Sequence, residues 1–230
     1  MKNKALIVSI FISLQAMALR LPSSYNQAGG SINFGYSQLN TSPIQSFVPK
    51  HLRTFNNKQL LIGGSGYVNS NKWLIGLSGT IAIGDKLQTD SFSYSMSGAI
   101  GTLDLAYLLV QKRNIKFFPM LGIGNSAYGI SISRTKNLNK DQITSTQARD
   151  IRINNGGLVL DLSMNLLAIP MLKYNKLKNK NSGLSTGLKL GYIYGIKNSS
   201  WHYTGGIVTD GPAYGMRMLY IKLSIGGFCY

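Results

Sequence analysis

Residues 71–85 read NKWLIGLSGTIAIGD, and their spacing decides the fold. Trp73, Ile75, Leu77, Ile81 and Ile83 fall on odd numbers, while Gly76, Ser78, Thr80, Ala82 and Gly84 fall on even ones; Leu74 and Gly79 are the exceptions. A period of two is that of a strand, whose successive side chains point to opposite faces. One face is therefore apolar and the other small or polar. In a soluble sheet the apolar face would meet a protein core, whereas in a membrane barrel it would meet lipid.

The rest of the chain narrows that choice. Only 13% of the 230 residues are charged, while 44% are hydrophobic, about half the usual charged share. Beyond the N-terminal leader, no run approaches the roughly 20 apolar residues of a membrane helix. Low charge without a helical span favours strands, as do the 26 glycines, 13 tyrosines and 8 phenylalanines. The N-terminus follows different rules. MKNK is a basic start, ALIVSIFISLQ an apolar run and Ala16-Met17-Ala18 an A-x-A cleavage site, so residues 1–18 read as an export signal. Residues 19–27 are then expected to be a short periplasmic segment, with the barrel over 28–230.

The formal charge is +17, and all seven acids are Asp. Two of those positive charges, Lys2 and Lys4, leave with the signal, which gives +15. An exported chain rarely meets nucleic acid, so the acidic neighbours expected are phosphate-bearing lipid head groups. A uniformly Lys- and Asn-rich composition would give the same balance. Cys229 is the single cysteine, which rules out an intramolecular disulfide.

Eight alternating segments follow the leader, at about 28–40, 58–69, 72–84, 91–110, 115–133, 156–170, 183–196 and 215–230. The sixth is the clearest, with Leu158, Leu160, Leu162, Met164, Leu166 and Ala168 on one face and Val159, Asp161, Ser163 and Asn165 on the other. LIGGSGYV at 61–68 and LIGLSGTI at 74–81 read as the two arms of one hairpin. The first, third, fifth and seventh gaps tend to be the longer ones, which fits short periplasmic turns and long outer loops. The sixth gap, MLKYNKLKNKNS at 171–182, is longer than that rule wants.

Strand directions traced from a periplasmic N-terminus put Trp73, Tyr107, Phe117, Phe228 and Tyr230 near the periplasmic rim. Phe92, Tyr94, Tyr192 and Tyr194 fall near the outer rim, giving two aromatic belts. Gly76, Gly84, Gly122, Gly124, Gly187 and Gly191 suit the narrow interior of an eight-stranded barrel. Asp104, Asp161, Lys189 and Lys222 share that inner face and are expected to meet as a charge network, with Asp161 and Lys189 the preferred pair.

These features together resemble the small outer-membrane β-barrel proteins of Gram-negative bacteria, the OmpA/OmpX-like class. The resemblance rests on the leader, the eight segments, FFPMLGIGNSAYG at 117–129 and the aromatic C-terminus GGFCY. It implies an all-β, eight-stranded antiparallel up-and-down transmembrane barrel in the outer membrane, inserted by barrel assembly machinery. In that class the last strand ends in an aromatic residue preceded by alternating apolar ones. Tyr230 and Phe228 match, but Lys222, Ser224 and Gly226 do not, and the apolar set lies instead at Leu219, Ile221, Leu223 and Ile225. A β-bulge at Gly226-Gly227 would restore the phase.

Signatures of site chemistry are sparse. The glycines of GIGNSAYG lack the spacing and following helix of a phosphate loop. With two histidines, one Cys and no Glu, no metal site or cofactor is expected. SSWHY at 199–203 allows a lipid-modifying reading with His202 as base beside Ser199 or Ser200 and Asp210 orienting it. Lys50, Arg53 and Lys58 lie in or beside the first outer loop, where lipopolysaccharide phosphates would be their partners. The expected role is non-enzymatic, structural or surface-interacting, for a monomer bound to lipid and lipopolysaccharide. The alternatives are an outer-rim lipid A modifying enzyme and an exported soluble barrel that binds an apolar ligand as lipocalins do. A side-chain-filled interior argues against a general porin.

Overall fold

The computed structural model describes residues 27–42, 45, 56–89, 92–112, 114–134, 151–175, 180–196, 200–203, 206–209, 211 and 215–229. The leader at 1–18 and the segment to 26 lie outside the described residues. Eight long strands carry the fold: β1 (Gln27–Leu39), β2 (Lys58–Ser70), β3 (Trp73–Gln88), β4 (Phe92–Tyr107), β6 (Ile115–Arg134), β7 (Ile151–Asn175), β8 (Lys180–Gly195) and β11 (Arg217–Cys229). Three short strands accompany them: β5 (Val110–Lys112), β9 (His202–Tyr203) and β10 (Gly206–Ile207). Each long strand pairs antiparallel with the next, and β11 pairs with β1 from Ala28↔Cys229 to Leu39↔Met218, so the sheet closes on itself. The protein is a closed eight-stranded antiparallel barrel. Closure leaves no open edge around the cylinder, the condition for backbone to cross hydrocarbon in strands.

The odd face of residues 73–83 points outward. Trp73, Ile75, Leu77, Ile81 and Ile83 are exposed, and Leu74 and Ala82 are buried. The same alternation runs round the waist. Leu103, Leu121, Ile123, Leu162, Met164, Leu188, Leu190, Leu223 and Ile225 all face out, with Leu103 59% and Leu223 62% exposed. Nine large apolar side chains in one belt far exceed the apolar patches that water tolerates. In a bilayer they cost nothing. The soluble ligand-carrier reading fails here, because its apolar stripes would have to pack inward.

Gap lengths depend on two bulges that period-two reading cannot follow. β7 and β8 continue past a register shift between Ala168 and Met171 and pair down to Asn175↔Lys180, so the sixth gap shrinks to residues 176–179. β3 gains a residue between Ile83 and Lys86 and pairs on to Gln88↔Ser93, and just beyond that pair the Thr89 hydroxyl donates to the Phe92 carbonyl at 2.9 Å. The end of the fourth segment is cut off as β5, which folds back onto the start of β6 through Val110↔Phe117.

The last strand corrects another expectation. Its ladder with β1 runs without a shift through Ser31↔Gly226, Gly30↔Gly227 and Gly29↔Phe228, so there is no bulge. Phe228 therefore keeps the inward parity of Lys222 and Tyr220 and is buried against Leu74, Ala106, Leu108, Phe118, Leu167 and Ile169. It plugs the periplasmic end from within instead of joining a lipid-facing belt. Tyr94 is likewise buried inside, at the outer end. On the exterior, Trp73 and Tyr107 meet edge-on with ring centroids 5.0 Å apart, and Tyr192 and Tyr194 are exposed. Tyr230 lies outside the described residues.

The two sides of the cylinder differ in height. β8 ends opposite Val159, but β7 pairs with β6 as far as Ile132↔Ile151. The free flank of this extension is met by β9 through Ile153↔Tyr203 and Asn154↔His202. The described part of the connection from β8 to β11 thus lies against the outer mouth, and Trp201 drops into it, 1% exposed.

Candidate functional site

The interior has three tiers. The periplasmic tier is the apolar plug around Phe228 and Phe118. The outer tier is a second apolar cluster that includes Leu39, Leu61, Met96, Tyr128, Ile130, Met218 and Trp201. Between them lies a polar waist, and the four charged residues singled out above all point into it.

Asp161 on β7 and Lys189 on β8 form an ion pair, with Lys189 Nζ 2.9 Å from Asp161 Oδ2. Tyr220 on β11 donates its hydroxyl to the same carboxylate, 2.6 Å from Oδ1 and 2.9 Å from Oδ2. Lys222 Nζ sits 4.4 Å above the Tyr220 ring and donates to Thr80 Oγ1 on β3 at 2.8 Å. Asp104 on β4 is not ion-paired directly; Thr102 Oγ1 donates to its Oδ1 at 2.7 Å, and Ser78 and Thr102 hydroxyls lie 2.7 Å apart. Ser31, Asn33 and Ser65 close the ring on β1 and β2, with the two serine hydroxyls at 2.8 Å. Two carboxylates and two ammonium groups balance one another, which suits an interior where an isolated charge is costly.

Glycine makes this crossing possible. A Cβ on Gly191 would lie 2.5 Å from the Tyr220 hydroxyl and ring, so only a bare backbone opposite Tyr220 lets that ring lie flat and reach Asp161. Gly122 stands between Asp104 and Asp161 in the ladder; its Cβ would come 2.5 Å from Asp104 Oδ1. A cavity of about 70 Å³ remains beside the network, lined by Asp104, Lys189, Lys222, Asn33 and Ser78 among others. Tyr220 is the member that sequence reasoning missed. Its signal was present, because it shares even parity with Lys222 on a strand whose odd positions carry the outward Leu219, Ile221, Leu223 and Ile225.

The rim residues are divided. Lys58 opens β2 opposite Gln38, exposed and facing out. Lys50 and Arg53 lie outside the described residues. His202 is exposed on β9 and Ser200 is exposed beside it, but Ser199 and Asp210 fall outside the described residues, so no triad geometry can be built. Among the described residues, no three His, Cys, Asp or Glu side chains are grouped to hold a metal ion, and no helix is long and apolar enough to cross a membrane.

A closed cylinder, apolar outside and polar at its inner waist, defines a transmembrane β-barrel of the outer-membrane type, and an outer membrane is where it resides. Among solved structures the fold is similar to Ail, the attachment invasion locus protein of Yersinia pestis, at 11% identity over 87% of this chain and 98% of that one, with a TM-score of 0.45. It is also similar to Neisserial surface protein A, at 13% identity over 87% and 95% with a TM-score of 0.43. A third similar structure is the outer membrane protease OmpT from Escherichia coli, at 11% identity over 91% and 98% with a TM-score of 0.37. These are likenesses of fold, and no activity follows from them. No family model and no curated protein matches the chain.

Proposed function

We propose that the protein is a non-enzymatic, monomeric outer-membrane scaffold. It works through what its outer loops present, with lipopolysaccharide phosphates as partners of Lys58 and of Lys50 and Arg53 in the preceding loop. One observation carries this reading: side chains occupy the described interior in all three tiers, those of Phe228 and its neighbours, of the Asp161–Lys189–Tyr220 network and of the cluster under Trp201, with a cavity of about 70 Å³ beside the network. An eight-stranded barrel has an interior just wide enough for side chains. An interior so occupied leaves the loops and rim as the working surface.

The test is conductance of the full chain in a planar bilayer, run beside a lipid A modification assay. The expected results are no stable conductance steps and unchanged lipid A. Sustained channel openings would overturn the scaffold reading. So would lipid A modification that is lost in His202→Ala, which would favour an enzyme at the outer rim.

A further inference from the structure

Lys189 and Lys222 stand directly opposite one another in the β8–β11 ladder, and Asn165 stands opposite Lys189 in the β7–β8 ladder. Three inward donors thus share one row. Like charges placed opposite each other repel, and only Lys189 has an answer, from Asp161. Among the described residues no carboxylate pairs with Lys222, whose Nζ bonds to the Thr80 hydroxyl. An ammonium group carries three donors, so two more seek acceptors. Asp104 is the mirror case: it takes the Thr102 hydroxyl and meets no ammonium group among the described residues. Lys222 is 5% exposed and Asp104 7%. A buried charge without a counter-charge is costly, yet these two line the same cavity of about 70 Å³.

We propose that the cavity is a water-binding site whose waters join Asp104 on β4 to Lys222 on β11, a bridged ion pair across the lumen. Three observations fix the occupant. Asn165 Nδ2, buried without a hydrogen-bond partner, lines the same cavity, as do Asn33, Ser78 and Ser224. Its lining therefore offers both donors and acceptors. One water needs about 10–15 Å³ of such space, so there is room for about five. The two carboxylates and two ammonium groups of the waist cancel, so a neutral occupant keeps that balance, whereas an added ion would leave a net charge at membrane depth. The floor is apolar, formed by Ala106, Phe118 and Leu167 of the periplasmic tier. β4 and β11 are four strands apart in a ring of eight. The bridge thus braces the cylinder across its diameter, where no backbone ladder can reach. This goes beyond the scaffold reading and holds whatever the outer loops bind.

The experiment uses the full chain folded in detergent micelles, with folding checked by heat-shifted gel mobility. In the wild type, long-lived water should give nuclear Overhauser contacts to the Ala106 methyl group and to the Asn165 side-chain amide. Ala106→Val intrudes on the cavity. Displacing waters that solvate the two charges should weaken the Asn165 contact and lower the urea midpoint, whereas filling a dry cavity would raise it. Asp104→Asn and Lys222→Met each remove one end of the bridge, and each should raise the unfolding constant about tenfold. Because the two ends share one network, the double variant should fall short of the product of the single effects by roughly 2- to 150-fold. Absence of water contacts in the wild type overturns the proposal without any variant, and so does a raised midpoint in Ala106→Val. Single effects that simply multiply overturn the coupling across the lumen. Coupling around a dry cavity overturns the bridge in favour of a direct ion pair.

Discussion

Strands β4 and β6 obey opposite rules at their two ends. Toward the periplasm, Leu103, Leu105, Leu121 and Ile123 face out, while Thr102, Asp104 and Gly122 face in. Toward the outer end, Tyr94, Met96, Tyr128 and Ile130 face in, while Ser95, Ser97, Ser131 and Ser133 lie on the outer face. No bulge separates the halves, because the β4–β6 ladder runs unbroken from Phe92↔Arg134 to Ala106↔Met120. The chain geometry is constant and the polarity inverts. Solvent explains the inversion: below Gly101 the outside is hydrocarbon and the inside must satisfy polar groups, while above it the outside is water and the inside must be a conventional core. The Ile100–Leu103 and Ile123–Tyr128 crossovers thus mark where the membrane surface crosses these strands.

The largest expected effect comes from breaking the inner waist. Lys189→Met leaves Asp161 buried with only Tyr220 as partner, and should cost about 3–5 kcal/mol, read as a lower urea midpoint in vesicles. Adding Asp161→Asn to it should recover part of the loss. Next comes the contrast between the two outer faces. Leu105→Arg, placed below that crossover and toward hydrocarbon, should cost about 2 kcal/mol, whereas Ser95→Arg on the same strand should stay within about 0.5 kcal/mol. Similar costs at both positions would end the two-solvent account of β4. Tyr220→Phe, which removes one hydroxyl from a charged acceptor, should cost about 1.5–3 kcal/mol with the barrel still heat-modifiable.

Much of this was legible in the residues, and the failures have physical causes. The stripe of 73–83 and the inward parity of Asp161 and Lys189 follow from a period of two, which pairing cannot alter without a bulge. Bulges themselves leave little trace. The one at Ala168–Met171 hid part of a strand inside MLKYNKLKNKNS, while the glycine pair 226–227 invited one that is absent. Tyr94 and Phe228 misled because strand-end aromatics belong to a girdle only if their parity is outward, and both are inward. Trp201 was passed over as part of a His-bearing loop, since nothing local reveals that part of a connection lies against the mouth. The contribution of Tyr220 depends on the bare backbone of Gly191 on the neighbouring strand, which no one-strand pattern displays.

The most direct test is site-directed spin labelling along β4 in a Cys229→Ser background, with single cysteines at Ser95, Ser97, Leu103 and Leu105 in reconstituted bilayers. Collision rates with oxygen, which concentrates in hydrocarbon, are compared with those of a water-soluble nickel chelate. Labels at 103 and 105 should be reached by oxygen and shielded from nickel, and labels at 95 and 97 should show the reverse. Nickel access at 103 and 105 would contradict the account, because the apolar belt would then be facing water.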